Sequence, residues 1–169
     1  MADDTAKPTL LRLAELFDRH DVEFIVIGGQ AAVLLGSPLA TLDVDLCYRR
    51  TNENLVCLAS ALTELHPQLR GAPPDLRFTL DARSLALGAN FRLETDLGPL
   101  DLLSWVEPIG TFDDLIDRCE RIAVGEQTLN VISLADLIRI KRHLGRPKDV
   151  ASLAQLEAIQ RIRGGRTES

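Results

Sequence analysis

Apolar residues return along this chain in two rhythms, one of helical spacing and one of strict alternation, and the change from one to the other marks its elements. After Pro8, the residues Leu10, Leu11, Leu13, Ala14, Leu16 and Phe17 recur at helical spacing and predict a helix to about His20. Residues 23–27 are few and rich in β-branched side chains, which predicts a buried strand, and "QAAVLLG" then reads as a helix stopped by Gly36 and Pro38. Over residues 42–48 aspartate alternates with aliphatic residues, the period of a strand with one polar face. Asn52 can cap a helix carrying Leu55, Val56, Leu58, Ala59 and Leu62, which ends before His66 and Pro67. "GAPPD" is a loop, residues 77–80 and 90–95 are extended runs around a short helical segment, and Gly98-Pro99 turns the chain into "LDLLSW". Thr111 with Asp114 three residues on starts another helix. Residues 121–124 and 127–132 form a hairpin around Gly125-Glu126, Ser133 caps a helix to about Leu144, and a last helix runs to about Ile162. Helices and strands interleave, so the predicted class is α/β or α+β with a mixed central sheet flanked by helices.

Composition narrows this little. At 169 residues, 46% hydrophobic and 26% charged, the chain is long enough for one buried core. The N-terminal segment is acidic at its start and interrupted by Arg12 and Glu15, so it reads as neither a signal peptide nor a spanning helix, and the cytoplasm is the expected location. Cys47, Cys57 and Cys119 are odd in number and lack a CxxC pair, which points to reduced, buried thiols. A net charge of -6 argues against bulk attraction to nucleic acid, although Arg139, Lys141, Arg142, His143, Arg146 and Lys148 make one local basic patch.

Candidate chemistry gathers in "FIVIGGQAAVLLGSPLATLDVDLCY". Alternation along a strand puts Asp43 and Asp45 on one face and Leu42, Val44 and Leu46 on the other. Taken alone, a DxD reads as an exposed polar face. Two like charges side by side nevertheless repel unless a donor or cation compensates, and hard carboxylate oxygens on a rigid strand suit Mg²⁺. Asp101, in "GPLDLLSWV", opens another apolar strand; beside residues 42–48 it would bring a third carboxylate to the same place. Gly28 and Gly29 stand at a strand-to-helix junction, where a missing Cβ lets backbone N–H groups approach an anion; the plain alternative is a tight turn without a ligand. No GxxxxGK[ST] or GxGxxG is present.

These segments, followed by "LDLL" and "LIRIKRHLGRPKD", resemble the DNA polymerase β-type nucleotidyltransferase superfamily, and within it the bacterial group of AbiEii-type toxins. The resemblance spans roughly residues 24–156 and implies the nucleotidyltransferase fold. It implies a catalytic core over residues 1–132 and a helical segment over 133–163 that closes the nucleotide site; the end of the chain, 164–169, reads from its own residues as a frayed tail. It further implies that Asp43 and Asp45 bind the Mg²⁺ (or Mn²⁺) escorting an NTP, and that Asp101 joins a second metal and helps deprotonate the acceptor hydroxyl. Gly28 and Gly29, with Gln30, would hold the outer phosphates. Lys141 would touch the nucleotide phosphates, with Arg146 and Lys148 near the site and Asp149 orienting a basic neighbour. The implied acceptors are RNA or a tRNA end, a protein, or an aminoglycoside; an antitoxin is an implied partner, and no membrane is.

Lys141 stands out without the resemblance. Leu134, Leu137 and Ile138 form the apolar stripe of its helix, and helical spacing puts Lys141 on the same inward side, where it must snorkel or meet an anion. One departure from the family pattern is that Gln30 and Ala31, rather than serine or threonine, follow the glycines. It motivates a second reading: a module that binds a nucleotide or a protein partner without turnover.

Overall fold

The structure, a computed structural model, describes residues 6–166. Helix α1 (Thr9–Arg19) buries Leu10, Leu13, Ala14, Leu16 and Phe17 along one face and leads to β1 (Phe24–Ile27). Helix α2 (Gly28–Leu34) begins on Gly28 itself, so the glycines belong to the helix rather than preceding it. Strand β2 (Val44–Tyr48) is shorter than alternation predicts, and Leu42 ahead of it is 88% exposed. The cause is local. Gln30 Nε2 donates to the carbonyls of Thr41 (3.1 Å) and Asp43 (3.5 Å), and Asp43 N donates to Thr41 Oγ1 at 3.3 Å, which ties the lead-in to α2 instead of to a ladder.

Thr51 rather than Asn52 caps α3 (Asn52–Thr63), its hydroxyl accepting from Asn54 N at 3.2 Å. Strand β3 (Gln68–Leu69) is too short to show an alternation, whereas the extended run 77–80 joins no ladder. Asp81 caps α4 (Ala82–Leu87), and β4 (Asn90–Thr95) turns through residues 96–97 into β5 (Gly98–Leu103). Asp114 Oδ2 accepts from Thr111 N and Oγ1 at 2.8 and 3.0 Å at the start of α5 (Phe112–Leu115), which a 3-10 turn extends. The hairpin of β6 (Glu120–Val124) and β7 (Gln127–Val131) follows. Ser133 caps α6 (Leu134–Leu144), which Gly145 ends in the left-handed conformation at φ 58°. Helix α7 (Pro147–Arg166) continues past Ile162, with Arg163 paired to Glu120 at 2.9 Å, so residues 164–166 are helical rather than frayed; 167–169 lie outside the described residues.

Among the described residues the strands form one mixed sheet in the order β3-β4-β5-β2-β1-β7-β6. The pairings of β2 with β5 and of β1 with β7, on either side of the antiparallel β1–β2 pair, are parallel, and the others are antiparallel. Asn54, buried at the sheet, receives Glu23 N at 2.7 Å and donates to the carbonyls of Glu23 and Arg49 at 3.0 and 2.6 Å, clamping the open end of the β1–β2 pair. Helix α6 packs on α7 and touches α2, which brings the C-terminal helices to the edge of the site. All three cysteines are free; Cys47 is buried, whereas Cys57 and Cys119 are half-buried rather than enclosed. No helix among the described residues is long and apolar enough to cross a membrane.

Candidate active site

A single row of charges crosses the sheet. In the parallel β2–β5 pair Asp45 stands opposite Asp101, in the β4–β5 pair Asp101 stands opposite Arg92, and Arg70 N bonds Arg92 O at 2.9 Å just beyond β3. Cross-strand partners share a face, so the four side chains stand side by side in the order Asp45, Asp101, Arg92, Arg70. On the other side of Asp45 lies β1, with Ile27 opposite Asp45 and Gly28 next in the chain. Gly28 has φ +66°, and a Cβ there would overlap Asp45 Oδ2; a Cβ on Gly29 would sit 2.8 Å from Thr41 Cγ2. The diglycine corner is therefore required for packing alone: it lets the Asp45 carboxylate and the Thr41 loop close on α2.

Asp43, Asp45 and Asp101 line one cleft of about 820 Å³, together with Gly28, Gly29, Arg70, Arg92, Lys141, Arg146 and Lys148. Burial, then the negative charges of Asp101 and Asp43, push the Asp45 carboxyl up to about 6; Lys141 and Lys148 pull the other way without offsetting this. Asp101 is held differently. Arg70 Nη2 lies 2.8 Å from Asp101 Oδ1 and Arg92 Nε lies 3.9 Å from Oδ2, yet Oδ1 is buried and makes no hydrogen bond of acceptable angle, so Arg70 serves it as an ion pair only.

The opposite wall comes from α6 and α7. Asp149 is fully buried and accepts from Lys141 Nζ at 3.1 Å, Arg146 Nε at 2.6 Å and Arg146 N at 3.2 Å. Burial pushes the Asp149 carboxyl up, but the hydrogen bonds and charges of Arg146 and Lys141 outweigh it and hold the group down at about 2. Lys141, 14% exposed, is thus an inward lysine with an anion of its own. Lys148 lines the cleft without an ion-pair partner among the described residues.

Eight of the nine residues singled out from the sequence line this cleft. Gln30 does not: its amide is spent on the Thr41 and Asp43 carbonyls, where it fixes the approach to Asp43. Asp43 and Asp45 do not share a strand, because Asp43 precedes β2. Nor do the three acids close on one point: among the described residues no group of three His, Cys, Asp or Glu side chains is near enough to hold a metal ion. The physical reasons are the early end of the ladder at Val44 and the ion pair that draws Asp101 toward Arg70. Sequence reading missed Arg70, Arg92 and Thr41. Arg92 could have been found from the alternation over residues 90–95, whereas Arg70 gave no local signal.

The donors still fit a hard divalent cation. Asp45 carries a carboxyl whose charge is disfavoured by burial and by two like charges, and Asp101 keeps a buried oxygen without a hydrogen bond; a cation held by Asp43, Asp45 and a released Asp101 would satisfy both.

Neither a family model nor a curated protein matches this sequence. Solved structures do. The lincosamide antibiotic adenylyltransferase LnuA, lincomycin-bound, aligns with a TM-score of 0.60 at 16% identity over 91% of this chain and 98% of that one. The antibiotic-resistance factor ANT(2'')-Ia aligns in its solution structure with a TM-score of 0.56 at 15% identity, over 98% of this chain and 95% of that one. The crystal structure of ANT(2'')-Ia with adenylyl-2''-tobramycin aligns with 0.54 at 15%, over 94% and 97%. Alignment over nearly the whole of both chains places this protein, with its seven-stranded mixed sheet, in the nucleotidyltransferase fold.

Proposed function

We propose that this protein is a metal-dependent nucleotidyltransferase that moves a nucleoside monophosphate from an NTP to an acceptor hydroxyl and releases pyrophosphate. The observation that carries this reading is the pairing of Asp45 with Asp101 on adjacent strands, with Gly28 seated against the Asp45 carboxylate. Asp43, Asp45 and Asp101 would hold Mg²⁺ or Mn²⁺, which when bound neutralises charge on the triphosphate and on the departing pyrophosphate. The triphosphate would lie toward Gly28 and Gly29, which line the cleft beside the Asp45 carboxylate, with Lys141, Arg146 and Lys148 facing it with positive charge from α6 and α7. Asp149 keeps Lys141 and Arg146 in place. Asp101 stands on the side away from Gly28, beside the space left for the acceptor, and takes the hydroxyl proton as the new O–P bond forms and the bond to pyrophosphate breaks. The domain roles follow: residues 1–132 carry the acids, and α6 with α7 close the nucleotide side.

The AbiEii-like segments add RNA or a protein as acceptor, an antitoxin as partner and a toxin role; the solved structures add lincosamides and aminoglycosides. Incubation with labelled NTPs and Mg²⁺, offering total RNA, protein extract or antibiotics of both classes, is expected to label one pool. Asp43→Asn should lower that transfer by about 10³-fold, since a lost cation contact removes several kcal/mol from the transition state. No Asp43-dependent label on any pool would count against transfer. A second reading, binding without turnover, is favoured by the Arg70–Asp101 ion pair at 2.8 Å, which occupies the third acid. It predicts NTP binding by calorimetry with no label transferred.

A further inference from the structure

The nucleotide-side reading leaves one stretch of the cleft unexplained, that on the far side of Asp101 from Gly28. Arg70 there is anchored whatever the site holds: Leu93 O accepts from it at 3.1 Å and Glu94 Oε1 lies 3.2 Å away. Arg92 is not. Its side chain is 73% exposed, and its one ionic neighbour among the described residues is Asp101 at 3.9 Å, beyond hydrogen-bonding range. Two arginines adjacent across a strand pair repel, and once Asp101 serves a cation only Glu94 remains to balance them. Arg92 is then a guanidinium with five donors and no partner.

Further along the same wall stands Trp105, 51% exposed, just past β5. Its segment is held against β4, because Asn90 Oδ1 accepts from Ser104 N at 3.1 Å and Ala89 O accepts from it at 3.2 Å. An exposed indole and an exposed guanidinium lining one cleft suit the chemistry of a nucleotide unit, which offers a base to stack and a phosphate to bind. A polycationic acceptor would meet two arginines instead. The acid on that rim, Glu107, lies 3.5 Å from His143 rather than beside Arg92.

We propose that the acceptor carries a nucleotide, its phosphate held by Arg92 beside Asp101 and its base stacked on Trp105. This rests on the nucleotidyl-transfer reading for its chemistry. Two sources share that feature, the 3′ end of a single-stranded RNA and a free mononucleotide.

The test is binding to the full chain in Mg²⁺, read by fluorescence anisotropy with a 5′-labelled RNA hexamer bearing a 3′ hydroxyl. Competitors are a nucleoside 5′-monophosphate and tobramycin. Arg92→Gln is expected to weaken RNA binding about tenfold and to reduce the salt slope by about one, Arg92→Glu to weaken it more, and Arg92→Lys less with the slope kept. Trp105→Ala should weaken it about tenfold through lost stacking. Competition by the monophosphate at similar concentration supports a mononucleotide acceptor, and its failure to compete supports a polymer end; both sustain the proposal. RNA binding unchanged in Arg92→Glu, or tobramycin bound more tightly than RNA and more tightly still by Arg92→Glu, would overturn it. Transfer that survives with Arg92-independent binding removes this proposal alone. Arg92-dependent binding without transfer to any acceptor removes the enzymatic reading and leaves the site.

Discussion

Asp45→Asn is expected to melt higher than the unaltered protein at pH 7.5 in the presence of a chelator, and to lose nucleotidyl transfer by about 10³-fold. The two effects have one cause. Burial and the charges of Asp101 and Asp43 raise the Asp45 carboxyl from 3.8 to about 6. Between about pH 4 and pH 6 the folded protein therefore keeps a proton that the unfolded chain has released, so stability falls as pH rises through that window and stays lowered above it. The penalty is about 2–3 kcal/mol, which for a chain of this size corresponds to roughly 5 °C in melting temperature. Asparagine keeps the shape and removes the charge. Thermal melts at pH 7.5 and pH 4 check the sign: the gain should be present at the first and absent at the second. A lower melting temperature at pH 7.5 would mean that the Asp45 carboxylate is satisfied by neighbours and has no need of a cation.

Asp149→Ala is expected to act in the opposite direction, destabilising the chain by about 3 kcal/mol and raising the KM for NTP by about tenfold. Asp149 is wholly buried between Lys141 and Arg146, so its removal strands two cations that were packed around it. Arg146 is 48% exposed and can rehydrate, whereas Lys141 at 14% cannot do so without moving, which keeps the cost toward the lower end for a broken buried pair. The pH dependence has the other sign from that of Asp45. The carboxyl is held at about 2, below its ordinary 3.8, so its contribution is complete above about pH 4 and is lost as pH falls toward 2. Denaturant melts of Asp149→Ala, Lys141→Met and the double variant separate the pair: if Asp149 serves to hold Lys141, the double variant should be less damaged than the sum of the singles.

Local chemistry was legible wherever a few neighbouring residues decide the outcome. Ser133 before an apolar stripe, the Gly125-Glu126 turn between alternating runs, and glycines after a β-branched run each place an element without reference to the rest of the chain. The candidate acids were legible for the same reason, since aspartate between aliphatic residues contradicts strand propensity. Pairing across the sheet was not. That Arg92 stands opposite Asp101, and that Arg70 reaches the same carboxylate from beyond a two-residue strand, depends on a register fixed by contacts distant in the chain. The exit of Asp43 from β2 is likewise a tertiary effect, made by Gln30 pulling the Thr41 loop toward α2. Gln30 drew notice as a departure at the phosphate turn, and its amide bonds the carbonyls of Thr41 and Asp43.

The most direct measurement is a crystal structure with Mn²⁺ and a non-hydrolysable NTP, read by the anomalous signal of the metal. Expected is a Mn²⁺ peak bonded to the carboxylates of Asp43 and Asp45, with Asp101 turned from Arg70 toward the metal and the triphosphate lying between Gly28 and Lys141. A triphosphate bound elsewhere, or Asp101 still paired with Arg70 and no metal at Asp45, would contradict it.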